Sequence, residues 1–385
     1  NGLIKADRSA HPHLHEAKKV YQSIHIEPVD LSKGRLEVKN EYNFTNLKDL
    51  VVLNWQITED GKVVESGSLG SPDVPAGSSG QITVPVEGID FAGESEYLLK
   101  INSVLAKDTG WAEKGYELAW DQMTLKEAQN NEKFSDKPAG ALEVKDAAEA
   151  IRISGEDFDV VFGKDEGAIV SYKIQDKELL HSALIPNFWR PPTDNDDSVN
   201  AGGNKMPERL GIWKDAGQKR RTDSISFERT SDNMVSIYVE ATLNAKDSKL
   251  LTSYTVRGDG SVLVENTLKP SDDMPNLPRI GMQFKMPDEF TNMSWYGRGP
   301  HENYWDRKSG AAVGIYKRKV SDVYHSYVRP QENGNRCDVR WMRIANDDGV
   351  GLEFRGRPLL YVSAWPYSME DLEEAWHTYE LHERD

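Results

Sequence analysis

Leu36-Glu37-Val38-Lys39-Asn40-Glu41-Tyr42-Asn43-Phe44 alternates apolar and polar side chains almost without interruption. Leu36, Val38, Tyr42 and Phe44 share one parity, and Glu37, Lys39, Glu41 and Asn43 fill the other. A period of two sends the two sets to opposite faces of an extended chain, so the stretch predicts a half-buried strand. The same reading extends outward. Residues 51–57 predict a second strand, and Glu59-Asp60-Gly61-Lys62 supplies an Asp-Gly hairpin turn before Val63. Strand-like runs follow at 81–86 and 97–104, with Pro and Gly clusters between them. No long helical period appears before residue 125. Residues 19–125 therefore predict an immunoglobulin-like β-sandwich.

Beyond it, residues 126–145 are polar, lack an apolar period and predict a linker. Residues 157–162 and 168–174 then read as a hairpin around Gly163-Lys164-Asp165-Glu166-Gly167. Residues 251–256 and 262–268 read as another, around Gly258-Asp259-Gly260. Continued to the end, this pattern makes 146–385 a large sandwich of antiparallel strands, and the chain all-β. One helix is expected near the end. Ser368 caps it, Asp371 takes the capping-box position, and Met369, Leu372, Ala375 and Trp376 share a face. The opening segment, 1–18, is short on strand pattern. Its His11, His13 and His15 recur at a spacing that puts all three on one face of a strand, but Pro12 interrupts it and no Cys or second His pair supports a metal there.

Charge and composition narrow the function. Against 63 acidic residues stand 47 basic ones, a net charge of −16. Nucleic-acid binders present a basic face, so such a partner is not expected. No apolar run approaches the ~18 residues of a membrane-spanning helix, so no membrane partner is expected either. Ten Trp, 15 Tyr and 10 Phe exclude a disordered chain. The one cysteine, Cys337, forbids an internal disulfide and leaves the compartment of a soluble protein open between cytoplasm and periplasm. It reads as a small buried residue rather than a nucleophile. Asn1 stands where a start methionine would, and no apolar core of a secretory signal follows it. The chain is therefore expected to be a piece of something longer.

Two segments concentrate polar and aromatic groups: Trp295-Tyr296-Gly297-Arg298-Gly299-Pro300-His301-Glu302-Asn303-Tyr304-Trp305-Asp306-Arg307, and Tyr327-Val328-Arg329-Pro330-Gln331-Glu332-Asn333-Gly334-Asn335-Arg336. Sugar sites need this mixture, because flat apolar sugar faces stack on rings and hydroxyls need polar partners on both sides. Glu302, Asn303, Arg307, Glu332, Asn333 and Arg336 are the candidate substrate-cleft residues. The structural alternative is a buried turn network in which the arginines satisfy carboxylates and loop carbonyls. A third segment carries Asp194, Asp196 and Asp197, candidates for a hard cation such as Ca²⁺. Val199 and Lys205 at positions six and twelve exclude an EF-hand, and Arg190 with backbone donors is the competing way to order the turn. There is no G-x-S-x-G, Walker or dinucleotide motif.

Taken together these stretches resemble the large β-galactosidases of glycoside hydrolase family 2. The resemblance rests on Asn1-Gly2-Leu3 with Ala6-Asp7-Arg8 and His11-Pro12, on Trp111-Ala112-Glu113-Lys114-Gly115-Tyr116, on Arg190-Pro191-Pro192-Thr193-Asp194-Asn195-Asp196 and on Trp213-Lys214-Asp215-Ala216-Gly217. Tyr296-Gly297-Arg298-Gly299-Pro300-His301-Glu302-Asn303-Tyr304 and Pro330-Gln331-Glu332-Asn333-Gly334 complete it, in family order over the whole chain. It implies that 1–18 is the exit of a catalytic (β/α)₈ barrel. Residues 19–125 would be the following immunoglobulin-like domain, and 146–385 the small-chain domain, a galactose-mutarotase-like supersandwich truncated at its C-terminus. The family hydrolyses terminal β-galactosides with retention, using two glutamates on the barrel. Neither of those motifs occurs here, so no catalytic residue is expected in this chain. The resemblance implies a non-catalytic part that shapes the cleft and assembly of a possible homo-oligomer, with galactoside or oligosaccharide substrate reached through the intact enzyme. Asn1 would help hold a monovalent cation, with Na⁺ and Mg²⁺ belonging to that enzyme. Trp305 departs from the pattern, which commonly has Pro there. The alternative is a stand-alone mutarotase-like or carbohydrate-binding module, with His301, His325, Glu302 and Glu332 nominated as acid and base.

Overall fold

Alternating burial builds both halves of the molecule. A computed structural model describes residues 2–91, 93–129, 139–197 and 205–382. In the first half, Ile24–Asp30, Arg35–Asn40 and Ser79–Thr83 form one sheet in that order. A second sheet runs Lys62–Gly70, Val51–Glu59, Tyr97–Leu105, Glu117–Lys126. All its pairings are antiparallel. Leu36 and Val38 from one sheet and Leu53, Ile57, Leu99 and Ile101 from the other meet in a single core, the sandwich the alternation predicts. The Asp60-Gly61 turn has positive φ at both residues, 46° and 80°, as its hairpin type requires.

Two boundaries differ from expectation. The opening strand stops at Asn40 rather than running to Phe44. The Asn40 amide donates to the Thr45 and Val74 carbonyls and accepts from the Tyr42 N–H, which turns the chain out of the ladder. Phe44 is left 97% exposed. The strand expected at 81–86 is Ser79–Thr83, although Val84 and Val86 are buried just beyond it.

The second half is larger and also antiparallel. Its five-stranded sheet runs Lys177–Glu178, Ala168–Ile174, Phe158–Gly163, Ala150–Ser154, Glu143–Asp146. One four-stranded sheet runs Arg221–Ser231, Met234–Thr242, Lys249–Arg257, Val262–Lys269. The other runs Ala312–Lys319, Asn292–Gly299, Arg336–Ala345, Gly351–Val362. Both expected hairpins are present. Glu143–Asp146 begins inside the expected linker and ends at the first residue beyond it, and Lys126 closes the preceding strand. That leaves 127–142 between the halves, with 130–138 outside the described residues.

Among the described residues no helix is long and apolar enough to cross a membrane. The expected late helix is Met369–Glu374, with its Ser368/Asp371 capping box formed. It ends before Trp376, which leaves the apolar face and is 66% exposed. The opening segment is a correction. It carries helix α1, Pro12–Val20, with proline in the first turn where a missing N–H costs nothing. His11 is the N-cap and its ring stacks on His13 at 5.1 Å, while His13 and His15, two apart on the helix, point about 200° apart, so the three do not share one face as they would on a strand.

The halves touch directly. A Cβ added to Gly61 would lie 2.7 Å from Ile315 Cγ1 and 2.9 Å from the Tyr296 ring. Glu96, buried in the first half, accepts from Arg340 and from the Tyr296 hydroxyl in the second. Gln122 exchanges two 2.8 Å hydrogen bonds with the Val313 backbone.

Candidate functional site

The sheet itself brings the two polar-aromatic segments together. Asn292–Gly299 pairs antiparallel with Arg336–Ala345, so the end of one strand lies beside the start of the other. The loop after Gly299 and the loop before Arg336 therefore leave the sheet at the same rim. Backbone and amide bonds zip them. Asn303 N–H donates to the Asn335 carbonyl at 2.9 Å, and Asn335 Nδ2 donates to the Asn303 carbonyl at 2.8 Å. Cys337 N–H donates to Asn303 Oδ1 at 2.8 Å.

All six candidate cleft residues enter this network, and all but Arg307 are buried. Glu302 accepts from Arg307 Nη2, the Tyr327 hydroxyl and Gly334 N–H. Glu332 Oε1 accepts from Arg279 Nη2 at 2.6 Å and from the Tyr304 hydroxyl at 3.4 Å. Its Oε2 finds no partner among the described residues. Asn333 Oδ1 accepts from His325 N–H at 3.0 Å, and its Nδ2 donates to the Gln331 carbonyl at 2.9 Å. Arg336 donates to the Gly334 and Asn335 carbonyls and lies over the Trp295 ring.

Burial sets the electrostatics. It lifts the Glu332 carboxyl above the usual range, against the pull of Arg279. Burial also lowers Arg336 to about 10. For Arg307 burial again opposes the charge, but the Glu302 carboxylate overrides it and holds the guanidinium above its ordinary value.

The nominated histidines turn toward the opening segment. His325 Nε2 lies 3.0 Å from His11 Nδ1. His301 stacks on His15 with ring centres 4.4 Å apart. Beside them Glu16 accepts from Ser309 and Gly310 N–H at 3.0 and 2.6 Å. The rim thus carries α1.

The acidic turn is ordered from within. Arg190 holds both Asp196 oxygens, at 2.6 and 3.1 Å, and Thr193 donates twice more. Asp194 is tied to Gln331. Among the described residues no three His, Cys, Asp or Glu side chains come together as a cation would need. The Asp196 carboxylate is thus engaged by Arg190 and Thr193, the metal-free way of ordering the turn. The Asp197 side chain and Asn1, with its expected cation role, lie outside the described residues.

A cavity of about 2840 Å³ opens between the sheets of the second half. Tyr172, Leu180, Val264, Phe284 and Phe354 wall it, and Arg190, Arg279, Tyr304 and Trp305 stand in its lining. Trp305 is exposed, edge-on to Tyr361 with the Lys308 ammonium 4.8 Å from its centre. Sequence reasoning missed Arg279, whose only cue was an arginine in a Pro-rich stretch, and Glu96, which has no local cue at all.

Residues 154–385 match the family described as the β-galactosidase small chain, and residues 36–126 match β-galactosidase domain 4. The chain belongs to the β-galactosidase family. Residues 127–153 separate the two matched segments. The β-galactosidase of Priestia megaterium is 38% identical over 386 residues, covering 99% of this chain and 36% of that protein. That of Halalkalibacterium halodurans is 32% identical, covering 99% and 37%. That of Lactobacillus delbrueckii subsp. bulgaricus is 33% identical, covering 99% and 36%. The chain thus spans a little over a third of the length of these curated relatives.

Proposed function

We propose that this chain is the non-catalytic C-terminal part of a retaining β-galactosidase acting on terminal β-D-galactosides. In this reading it shapes the substrate cleft and supports assembly of the enzyme. One observation carries it: the rim built by Glu302, Asn303, Glu332 and Asn333 packs against α1, the segment that would emerge from a preceding catalytic barrel. The loops would then act by position, fixed from behind by their buried polar groups, rather than by presenting those groups to sugar.

The chemistry argues against catalysis by the chain alone. Retention needs two carboxyls about 5–5.5 Å apart, both open to the sugar. Glu302 is closed by Arg307, Tyr327 and the Gly334 N–H, and Glu332 is buried against Arg279. Na⁺ and Mg²⁺ would belong to the intact enzyme, and no residue described here is assigned to them.

The test is release of nitrophenol from a nitrophenyl β-galactoside by the purified chain. No turnover is expected. Turnover that survives repurification and disappears in Glu332→Gln would overturn the proposal and point to a site of the chain's own, mutarotase-like or carbohydrate-binding.

A further inference from the structure

We propose that the seam between α1 and the second half is a proton-sensitive latch, closed only while His11, His15, His301 and His325 are uncharged. The geometry forbids charge on both members of either pair, and burial resists charge on even one. A hydrogen bond between His11 Nδ1 and His325 Nε2 at 3.0 Å needs a lone pair on one ring, and two imidazolium rings have none. His15 and His301 lie face to face at 4.4 Å and 22°, where two positive charges repel.

The surroundings offer little compensation. His301 faces His15, Arg336 and Arg307. His325 faces Lys5, His11 and Arg307, with Glu302 as its one carboxylate. His11 faces His13 and Lys5, again with Glu302 opposing, and Tyr327 stacks on it. His15 faces Lys18. Glu302 is already engaged with Arg307, Tyr327 and the Gly334 N–H. Glu16, on α1 itself, is held by two backbone N–H groups.

The sign follows from burial, which lowers His301 to about 3 and His325 to about 4. A free imidazole titrates near 6.5. Below that pH the undocked seam takes up protons that the docked seam refuses. Docking therefore has full strength above pH 6.5 and weakens as pH falls, about tenfold per unit for each ring. Two such rings make docking at pH 5.5 at most roughly 100-fold weaker than at pH 7.5, because Arg307 and Arg336 stay beside them when α1 leaves. A nine-residue helix does not hold itself in water, and release leaves α1 tied only by Lys18 and Lys19 of its last turn to Glu117, Trp120 and Asp121, so its first turns unfold.

Hydrogen exchange on the purified chain reads this directly. Protection of the α1 amides, corrected for intrinsic exchange, is expected to fall by one to two decades between pH 7.5 and 5.5, while Met234–Thr242 keeps its protection. In the double variant His15→Phe/His301→Phe the fall is expected to shrink about tenfold. Flat protection in the unaltered chain, or an equal fall in the variant, would overturn the latch. Should the variant not fold, ring-proton titration of the unaltered chain decides. Midpoints below pH 5 for His301 and His325 support the latch, and midpoints near 6.5 sink it.

Discussion

Asn333 has no exposed surface, and each polar atom of its side chain is engaged, with His325 N–H and with the Gln331 carbonyl. Asn333→Ala leaves both backbone groups buried and unpaired, which costs about 1–3 kcal/mol. For a domain of this size each kcal/mol lowers melting by about 2–4 °C, so a thermal scan of the chain should show a loss of several degrees. Unchanged melting, with altered choice among galactosides in the longer enzyme, would mean instead that the residue faces sugar. The Glu-Asn pairs at 302–303 and 332–333 were legible because both partners sit in short, unusually polar stretches. Glu96 was not. Its partners Tyr296 and Arg340 lie 200 and 244 positions away, and no local pattern announces a contact that tertiary folding alone creates.

Strands were legible wherever one face is buried, because parity survives every other detail of sequence. Their ends were less so. Asn40 holds the buried parity of Leu36 and Val38 with a polar side chain, and its amide captures the backbone and stops the ladder. Helix α1 escaped notice because it has no apolar stripe; its buried residue is Pro12, and docking rather than periodicity holds it. The late helix is the opposite case, since its cap is written in sequence. It is six residues long, so Ser368→Ala should matter: loss of the cap costs about 1 kcal/mol. Exchange of the amides at 371–374 should speed up about fivefold, ~1.4 kcal/mol being tenfold. Unaltered rates would show that packing of Leu372 alone holds the turn.

The two sandwiches are joined by few but demanding contacts. Glu96→Ala strips Arg340 and the Tyr296 hydroxyl of a buried partner, a change that costs about 3–5 kcal/mol when one member of a buried pair is removed. Gly61→Ala strikes the same joint, because the new methyl has no room beside Ile315 and the backbone at φ 80° disfavours any side chain. Calorimetry of either variant should resolve two transitions, the immunoglobulin-like half melting first; one transition at the unaltered temperature would mean that the halves are not coupled through this joint. The α1 seam has a consequence in time. Glu16 meets Ser309 across 293 residues. At roughly 5–20 residues per second, a ribosome takes about 15–60 s to supply that partner after α1 has been made. Until then only its last turn has a partner, through Lys18 and Lys19 on Glu117, Trp120 and Asp121, and the first turn travels beside the growing chain as a ready target for chaperones and proteases.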